Sequence, residues 1–400
     1  MQCRSPCETA LHPSFIILDT RIQMKKIFNS MLVLAVMLGS FCFISCEGEE
    51  VLEGDLVLSV SSDIFVANGT DELVFTAKVG DVDVTEEATL YVNNKQMGSN
   101  RFSTEKAGSY KFFASYMGKI SNYVTINAAN PALYVELPKD SQADKFSDFQ
   151  RKVLITEGTG TWCGYCPYMI TALELFSEYG SNADKAVIVA MHSGDEFSNP
   201  ASEAAVSACK ISGFPSCVFN LNPDALLENN DPNVNAENLN TLVGMELKEA
   251  ARVGIAAATA VSADSKVVGV RSSVKVGKDG KYRINVWLIE DGVPAYQSSY
   301  WYEFSNGKST VLIDHMHVLR GASCVSPIQG QLLGENGDCV SGDVLECYHE
   351  FDVDKVGVAN VANCKVVVMV TATSGTSSKF FVNNIIECSV GESVPFAYNN

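Results

Sequence analysis

Clusters of basic residues are absent from this sequence of 400 residues. It holds 29 Lys and Arg against 47 Asp and Glu, a formal net charge of −18, and no run of Lys or Arg exceeds two residues. Proteins that bind nucleic acid neutralise phosphates with clustered basic side chains, so the sequence argues against such a partner. The 46% of hydrophobic and 19% of charged residues exclude a disordered or fibrous chain.

Cysteine is too scarce for a miniprotein held together by disulfides, but the 13 cysteines are many for a cytosolic protein. They indicate an oxidising compartment. Near the N-terminus, Lys25 and Lys26 precede an apolar run over 27–44, which ends at Ser45 and Cys46. A charged segment, an apolar segment and a small residue before a cleavage point are the parts of a secretory signal.

This signal resembles that of bacterial lipoproteins, in which the cysteine, here Cys46, receives the lipid and becomes the mature N-terminus. The resemblance implies an outer membrane lipoprotein, facing the periplasm or the cell surface and held to the membrane by its lipid anchor. We expect residues 1–45 to be a signal segment, with the signal proper at 24–45 and residues 1–23 following a start codon assigned too early. A plain transmembrane anchor is the alternative. The acidic tether at 46–51 resembles the surface-export signal of Bacteroidetes lipoproteins, or is a solvated linker.

Residues 52–128 alternate apolar and polar side chains in several short runs separated by turn residues such as Asn68 and Gly69. This pattern predicts a small antiparallel β-sandwich. The segment resembles bacterial immunoglobulin-like domains, which implies a spacer or an adhesion module. Residues 129–147, with Pro131 and Pro138, are interpreted as a linker.

A Cys-x-x-Cys motif follows the apolar strand that begins at Val153. The motif reads Trp-Cys-Gly-Tyr-Cys-Pro over 162–167 and opens an amphipathic helix. Cys163 and Cys166 therefore lie one helical turn apart, close enough to join. A helix N-terminus stabilises a thiolate, so Cys163 is predicted to be the attacking thiol and Cys166 the one that resolves the mixed disulfide. Half of a zinc site and a structural staple are the alternatives; Cys209 and Cys217 are too far apart to complete a zinc knuckle.

The motif resembles thioredoxin-like proteins over residues 148–252. The resemblance implies a cis peptide bond before Pro215, facing the cysteines, and a buried acid at Glu157 that takes the proton from Cys166. It places Trp162 and Phe214 beside the substrate. The Gly-Tyr pair between the cysteines matches periplasmic disulfide isomerases, which favours oxidation or shuffling of disulfides.

Three features of this region are left open by the sequence. No final hairpin strand is evident between Asn220 and Asn233, where Asn, Asp and Pro replace β-formers. His192 is either catalytic or a loop histidine with solvent or backbone partners. Cys209 and Cys217 form either a disulfide that braces the loop facing Cys163 or two free, buried thiols.

Residues 253–400 are predicted to form a second β-sandwich of about seven strands. A hairpin is expected at 277–281, a strand over Ser299–Phe304 and another over Val311–Val318. The signal, the motif and these strands together resemble the Bacteroidetes outer-membrane lipoprotein family typified by a twenty-eight-kilodalton outer membrane protein. The predicted fold class is thus an immunoglobulin-like sandwich, a thioredoxin-like α/β domain and a C-terminal β-sandwich.

Other side chains of the C-terminal region suggest weaker sites. His315 and His317 are expected on one face of a strand and would bind a metal with His349, although alternating histidines of this kind are usually only solvated; no metal and no cofactor is predicted. Cys324 and Cys339 would staple the glycine-rich loop between two strands, but cysteine pairing cannot be deduced from sequence.

Two functions are compatible with these patterns. The first is an envelope-anchored thiol–disulfide oxidoreductase or isomerase acting on cysteines of exported proteins. The second is a surface-exposed binding or adhesin-like lipoprotein for an unknown surface ligand, in which the Cys-x-x-Cys motif is a structural disulfide. An exposed Cys163 favours the enzyme, and a covered motif favours the binding protein.

Overall fold

The computed structural model describes residues 52–399 except 63, 228–230, 325–329, 335–336 and 374–378. The predicted signal segment, the acidic tether and Cys46 lie outside the described residues. The described part consists mainly of β-strands arranged in several sheets. This agrees with the β-sandwiches in the predicted fold class. No helix within it is long and apolar enough to cross a membrane.

The first unit of structure, up to Ala129, is a two-layered β-sandwich. One sheet has the order β1-β3-β4 with β7 on β3, and the other has the order β2-β10-β8-β5-β6 with β9 on β8. Alternate residues of β3 are buried, and the Phe75 and Phe112 rings from the two sheets meet at 4.4 Å between centroids. The strands are β1 (Leu56–Val60), β2 (Ile64–Val66), β3 (Leu73–Val79), β4 (Val82–Asp83), β5 (Thr89–Val92), β6 (Lys95–Gln96), β7 (Arg101–Phe102), β8 (Gly108–Tyr116), β9 (Lys119–Ile120) and β10 (Val124–Ala129).

The segment interpreted as a linker, 129–147, is fastened to the rest of the chain. Ala129 and Leu133 form a buried cluster with Tyr348. Farther along, Asp140 accepts a hydrogen bond at 2.8 Å from the buried Lys275 ammonium group. The segment is therefore part of the packed structure.

The middle region alternates strands and helices. β11 pairs in parallel with the next strand, β12, and antiparallel with β13, which in turn pairs with β14. Apolar residues of α1 and α3 cover one face of these strands, and α2 covers the other. The elements are β11 (Val153–Thr159), α1 (Cys166–Tyr179), β12 (Ala186–His192), α2 (Pro200–Ala208), β13 (Ser216–Phe219), β14 (Asn222–Leu227) and α3 (Pro232–Glu246), with a short 3₁₀ turn at Ala183–Lys185.

The C-terminal region is mostly strand. Its elements are β15 (Val253–Val261), β16 (Val267–Val276), β17 (Gly280–Glu290), β18 (Val293–Ser298), α4 (Tyr302–Ser305), β19 (Thr310–His315), β20 (Val318–Ala322), β21 (Gln331–Leu332), β22 (Asp338–Cys339), β23 (Val344–Asp352), β24 (Cys364–Thr373), β25 (Phe380–Ser389) and β26 (Ser393–Val394), with a 3₁₀ turn at Val361–Asn363. A four-stranded sheet, β23-β16-β15-β26, packs on β17 and β24 around an apolar core.

One sheet runs through both the middle and the C-terminal regions, with the order β14-β13-β11-β12-β20-β17-β24-β25. The junction is made by β12 and β20, at Ala190 and Val318. Trp287 of β17 and Leu154 of β11 belong to the same buried cluster. The predicted boundary between 148–252 and 253–400 therefore falls within a continuous sheet.

The final hairpin strand, which the sequence left open, exists after Asn220, because Asn220 and Leu221 take positive φ angles of 51° and 60° and turn the chain back as β14. Three expectations about local structure are wrong. The expected strand Ser299–Phe304 is replaced by a loop and the short helix α4. The expected strand Val311–Val318 is split into β19 and β20 around His317, which has a φ of 58°. β16 and β17 do not pair as a hairpin, since the turn between them carries the chain from one sheet to the other.

Candidate functional site around the Cys163–Cys166 disulfide

The two cysteines of the motif lie between the end of β11 and the start of α1. Cys163 and Cys166 are joined by a disulfide with their Cα atoms 5.4 Å apart. The Cys166 N–H also donates to Cys163 Sγ at 3.1 Å. Pro167 in the first turn of α1 fits this helix start because its missing N–H has no partner to lose there. The predicted one-turn spacing of the two cysteines is confirmed.

The peptide bond between Phe214 and Pro215 is cis, as predicted. Pro215 is buried directly before β13, whose Ser216 lies opposite Gly158 of β11. The rings of Phe214 and Trp162 meet edge to face at 5.6 Å between centroids. The loop that carries the cis bond therefore contacts the loop that carries the cysteines.

Glu157 is buried in β11, where it is 4% exposed and lies opposite Cys217 of β13. Burial raises the pKa of its carboxyl group to about 8, and the nearby Thr159 hydroxyl opposes this pKa shift in part. Within the described residues, neither Glu157 Oε1 nor Thr159 Oγ1 has a hydrogen-bond partner of good geometry. Glu157 therefore holds a proton at neutral pH and releases it in mildly alkaline conditions.

A segment far away in sequence covers the motif. The buried Gln297 side chain donates to the carbonyl oxygens of Cys163, at 2.8 Å, and Gly160, at 3.2 Å. The Ser298 N–H donates to Thr161 O, and the Tyr300 N–H donates to Gly164 O, both at 2.8 Å. Residues 297–300, which we term the cover segment, thus bind four carbonyl groups of the motif loop.

The cover segment leaves Cys163 only 3% exposed. The Tyr300 ring lies over Gly164 so closely that a Cβ atom at that position would come within 2.6 Å of it. Tyr300 itself is 72% exposed and contacts Tyr165 edge to face. Sequence reasoning missed the cover segment, and the run of three aromatic residues at 300–302 was the one signal that pointed to it.

The loop after β12 holds the motif loop from the other side. Asp195 accepts hydrogen bonds from the Thr161 N–H at 2.8 Å and from His192 Nδ1 at 2.6 Å. The Trp162 indole N–H donates to Ser193 O at 2.8 Å. His192 is therefore a buried residue with a carboxylate partner that positions the loop.

The remaining predicted cysteine and histidine sites are not assembled. Cys209 and Cys217 are two buried thiols without a disulfide, the second of the two alternatives, and burial raises the pKa of Cys209 to about 11. Cys324 and Cys339 are not bonded to each other either. His315 ends β19, His317 lies in the following turn, and His349 belongs to β23 of the other sheet. The described residues contain no cluster of His, Cys, Asp or Glu arranged to hold a metal ion.

Comparison with known proteins connects the chain to one family. A family model described as "Outer membrane protein Omp28" matches residues 202–394, which run from α2 to β26 and begin after the Cys-x-x-Cys motif. No curated protein matches the chain. Two solved structures from Porphyromonas gingivalis are similar to it. HBP35 is 16% identical, with a TM-score of 0.46 over 64% of this chain and 80% of its own.

The other structure is a domain of the outer membrane lipoprotein Omp28. It is 17% identical, with a TM-score of 0.22 over 36% of this chain and 90% of its own. Both TM-scores are below 0.5, so neither likeness carries weight for the fold or the chemistry of the motif. The family model, in contrast, agrees with the family and the location expected from the signal and the strand order. Residues 202–394 of the chain are thus similar to the Omp28 family, and the protein is an outer membrane lipoprotein.

Proposed function

We propose that this protein is a thiol–disulfide oxidoreductase or isomerase that acts on cysteines of exported proteins. The unit that would carry the activity is thioredoxin-like and spans the predicted residues 148–252. The observation that carries the proposal is Glu157, a buried carboxyl group on the strand that leads into the disulfide, whose Oε1 atom has no hydrogen-bond partner of good geometry among the described residues. Burying an unpartnered carboxyl group costs free energy, and a structural staple has no use for it.

The chemistry starts from the disulfide. A substrate thiolate attacks Cys163 Sγ and forms a mixed disulfide, while the Cys163–Cys166 bond breaks and Cys166 leaves as a thiolate. Glu157 gives its proton to the Cys166 thiolate. A second substrate thiolate then attacks the substrate sulfur of the mixed disulfide and releases Cys163 as a thiolate. The substrate is oxidised by two electrons, the protein is reduced by two, and in the reverse direction Glu157 takes the proton back.

Access to Cys163 requires the cover segment to move. A substrate in extended conformation would replace Ser298 and Tyr300 as hydrogen-bond donors to the carbonyl groups of Thr161 and Gly164. The exposed rings of Trp162 and Tyr165, 51% and 48% exposed, offer apolar surface beside the motif to such a segment. Phe214 contacts Trp162 from the loop of the cis bond and would complete this surface.

A second function is favoured by a specific observation, the 3% exposure of Cys163. A covered disulfide fits a binding or adhesin-like lipoprotein in which β-sandwiches hold an unknown surface ligand and the motif is static. In both functions, the N-terminal sandwich would be an immunoglobulin-like spacer or adhesion module between the anchor and the rest of the protein.

The two functions are separated by trapping mixed disulfides in cells. In the reverse direction, Cys163 attacks a substrate disulfide and Cys166 resolves the mixed disulfide that results. A Cys166→Ser protein lacks this resolving thiol, so it is expected to accumulate covalent adducts with exported proteins, visible on non-reducing gels. Cys163→Ser is the matched control and should accumulate none. If Cys166→Ser and Cys163→Ser give the same pattern, the oxidoreductase proposal fails and the binding protein stands.

The lipid anchor on Cys46 has its own test. Acyl chains on this cysteine would supply the affinity for the membrane. Cys46→Ala is therefore expected to move the protein from the membrane fraction to the soluble periplasmic fraction. The outcome is read by cell fractionation and immunoblotting, with Cys42→Ala as a control that should stay membrane-bound. A Cys46→Ala protein that remains in the membrane would point to an uncleaved signal helix.

A further inference from the structure

A cavity of about 400 Å³ lies beside Glu157, between α1, the ends of β11 and β12, and residues 313–317. This volume is within the range of pockets that bind small molecules, ~300–1,000 Å³. Neither Cys163 nor Cys166 lines the cavity, so it is separate from the covered disulfide. Much of its wall is apolar and consists of Ile170, Leu173, Ala190, Ile313 and Met316.

Four buried polar atoms in this wall have no hydrogen-bond partner of good geometry within the described chain: Glu157 Oε1, Thr159 Oγ1, His315 Nε2 and His317 Nδ1. His317 Nδ1 lies 3.1 Å from Asp291, whereas the residues of the other three atoms are at most 4% exposed. Glu157 and Thr159 are two positions apart on β11, so their side chains point to the same face of the sheet. Thr159 lies opposite His192 of β12, and the His192 and His315 rings are 5.3 Å apart. The three atoms therefore belong to one continuous polar part of the wall.

The charges of the wall favour a cation. Four acidic residues and no Lys or Arg line the cavity, and the acidic residues are Glu157, Glu174, Glu178 and Asp314. Burial lowers the pKa of His315 to about 4, with a smaller effect from His192, so His315 is neutral at physiological pH. His192 has Asp195 as a partner, and His317 Nδ1 is 3.1 Å from Asp291.

We propose that this cavity binds a primary amine with an apolar chain, such as an alkylamine. A protonated amine donates three hydrogen bonds, and the polar wall offers three unpartnered acceptors in Glu157, Thr159 and His315. The chain of the ligand would lie against Ile170, Leu173 and Ile313. A metal ion fits less well, because no group of ligands in the described residues is arranged to hold one.

The proposal is tested by calorimetric titration of the purified full-length protein in its oxidised form. The probes are hexylamine, 1-hexanol and hexanoate, which share one chain and differ in the polar group. Hexylamine is expected to bind at least about tenfold more tightly than 1-hexanol, since a hydrogen bond to a charged group is stronger than a neutral one. Hexanoate should show no binding. Equal or reversed affinities of the three probes would overturn the proposal.

Variants locate the site and separate it from the redox chemistry, with which it shares Glu157. Glu157→Gln should weaken hexylamine at least about tenfold and leave 1-hexanol within about twofold. Ala190→Leu fills the cavity and should abolish binding of both probes. If Ala190→Leu does not fold, Ile313→Phe is used to fill the cavity instead. Glu237→Gln, on α3 outside the cavity, should bind like the wild type. If Glu157→Gln or Ala190→Leu binds hexylamine as the wild type does, the proposed binding in this cavity is wrong.

A double Cys163→Ser, Cys166→Ser variant distinguishes failure of this proposal from failure of the proposed enzyme. The variant has no redox activity, yet hexylamine should bind to it as it does to the wild type. Loss of binding in this variant would mean that the cavity depends on the disulfide and would overturn the independent site.

Binding of the ammonium group should also release a proton below pH 8. Glu157 holds a proton there and must lose it to pair with the ligand. Titration in buffers of different ionisation enthalpy is expected to give about one proton released at pH 6.5 and none above about pH 9. The other titratable groups that face Glu157 or line the cavity are Cys217, Glu174, Glu178, His192, Asp314, His315 and His317. Zero proton release at pH 6.5 would contradict ionic recognition by Glu157.

Discussion

Burial in β11 changes the acidity of the Glu157 carboxyl group. All seven residues of β11 are buried, so a carboxyl group among them lies far from bulk water. Burial favours the neutral form, which raises the pKa of Glu157 to about 8. The same group lies opposite Cys217 and is the second cause, after burial, of the raised pKa of that thiol.

The raised pKa of Glu157 predicts a pH-dependent effect of Glu157→Gln. The folded protein keeps the carboxyl proton up to about pH 8, whereas the unfolded chain loses it near pH 4.5. The wild type therefore loses unfolding free energy as the pH rises through this window, by up to about 1.4 kcal/mol per pH unit. The amide introduced by Glu157→Gln does not titrate, so the variant should gain stability relative to the wild type between about pH 5 and pH 8. Urea unfolding at several pH values measures this difference.

Glu237→Gln is the control for this prediction, because Glu237 is exposed on α3. Its stability should differ from that of the wild type by a constant amount across the same pH range. A difference between Glu157→Gln and the wild type that does not change from about pH 5 to pH 9 would contradict the raised pKa of Glu157.

Lys275 is a second buried charged residue, and its role is structural. Its side chain is 2% exposed, and the ammonium group donates to Asp140 at 2.8 Å and to Ala143 O at 2.7 Å. Lys275→Met leaves Asp140 without its cationic partner, so the free energy of unfolding should fall by about 3–5 kcal/mol. Lys266→Met removes an exposed ion pair with Asp354 and should have a much smaller effect on the free energy of unfolding. Urea unfolding compares the two; equal losses would count against the buried pair.

At the scale of secondary-structure elements, β18 and β19 determine access to the disulfide. These two strands pair with each other. The cover segment consists of the last two residues of β18 and the two residues that follow, and α4 lies between it and β19. Tyr168 of α1 stacks on Trp301 with 4.8 Å between ring centroids, which adds an apolar contact to the hydrogen bonds of the cover segment. The cover therefore belongs to a hairpin whose movement would expose Cys163.

Gly164→Ala tests this hairpin. The new methyl group would collide with the Tyr300 ring and push the cover segment away from the motif. We expect a loss of roughly 1–3 kcal/mol in the free energy of unfolding and faster alkylation of Cys163 after reduction. Tyr300→Ala in the same protein should restore stability in part, and Gly98→Ala, where the methyl group meets no atom within 4 Å, should change neither quantity. Unchanged alkylation in Gly164→Ala would show that Tyr300 does not control access.

At the scale of the whole molecule, the ten-stranded sheet joins regions that the sequence suggested were separate. Both faces of its central strands are buried, one against the four-stranded sheet and the other in a cluster that includes apolar residues of α2. Leu154 and Met191 of the middle region share a cluster with Trp287 and Val367 of the C-terminal region. The middle region thus lacks a complete core of its own.

A fragment of residues 148–252 is therefore expected not to fold by itself. Without β17, β20 and β24 it would expose one edge of β12 and the apolar side chains that meet Trp287. Circular dichroism and denaturant unfolding should show no cooperative transition for this fragment, whereas a fragment of residues 130–399 should show one. Cooperative unfolding of the 148–252 fragment would support the predicted domain boundary instead.

The sequence alone determined the features that depend on neighbouring residues. Period-two alternation indicated the strands of the N-terminal sandwich, and the motif over 162–167 indicated the strand, the turn and the helix start around the cysteines. The cis bond before Pro215 was predicted from the same resemblance. The strands and the helix start follow from local geometry, because side-chain period and helix capping act over a few residues, whereas the cis bond was implied only by the resemblance.

Only the tertiary structure decided what surrounds the cysteines. Gln297 meets Cys163 across 134 positions of sequence, and His315 meets His192 from a strand in another part of the chain. The pairing of β12 with β20 likewise joins distant segments, since an exposed strand edge accepts any partner of suitable length. Ser298 and Tyr300 bind the motif loop through backbone N–H groups, which almost any residue supplies, so only the aromatic residues at 300–302 mark the cover of Cys163 in the sequence. The polar wall beside Glu157 combines side chains of β11 and β19, which lie far apart in the chain, so no local pattern predicts it.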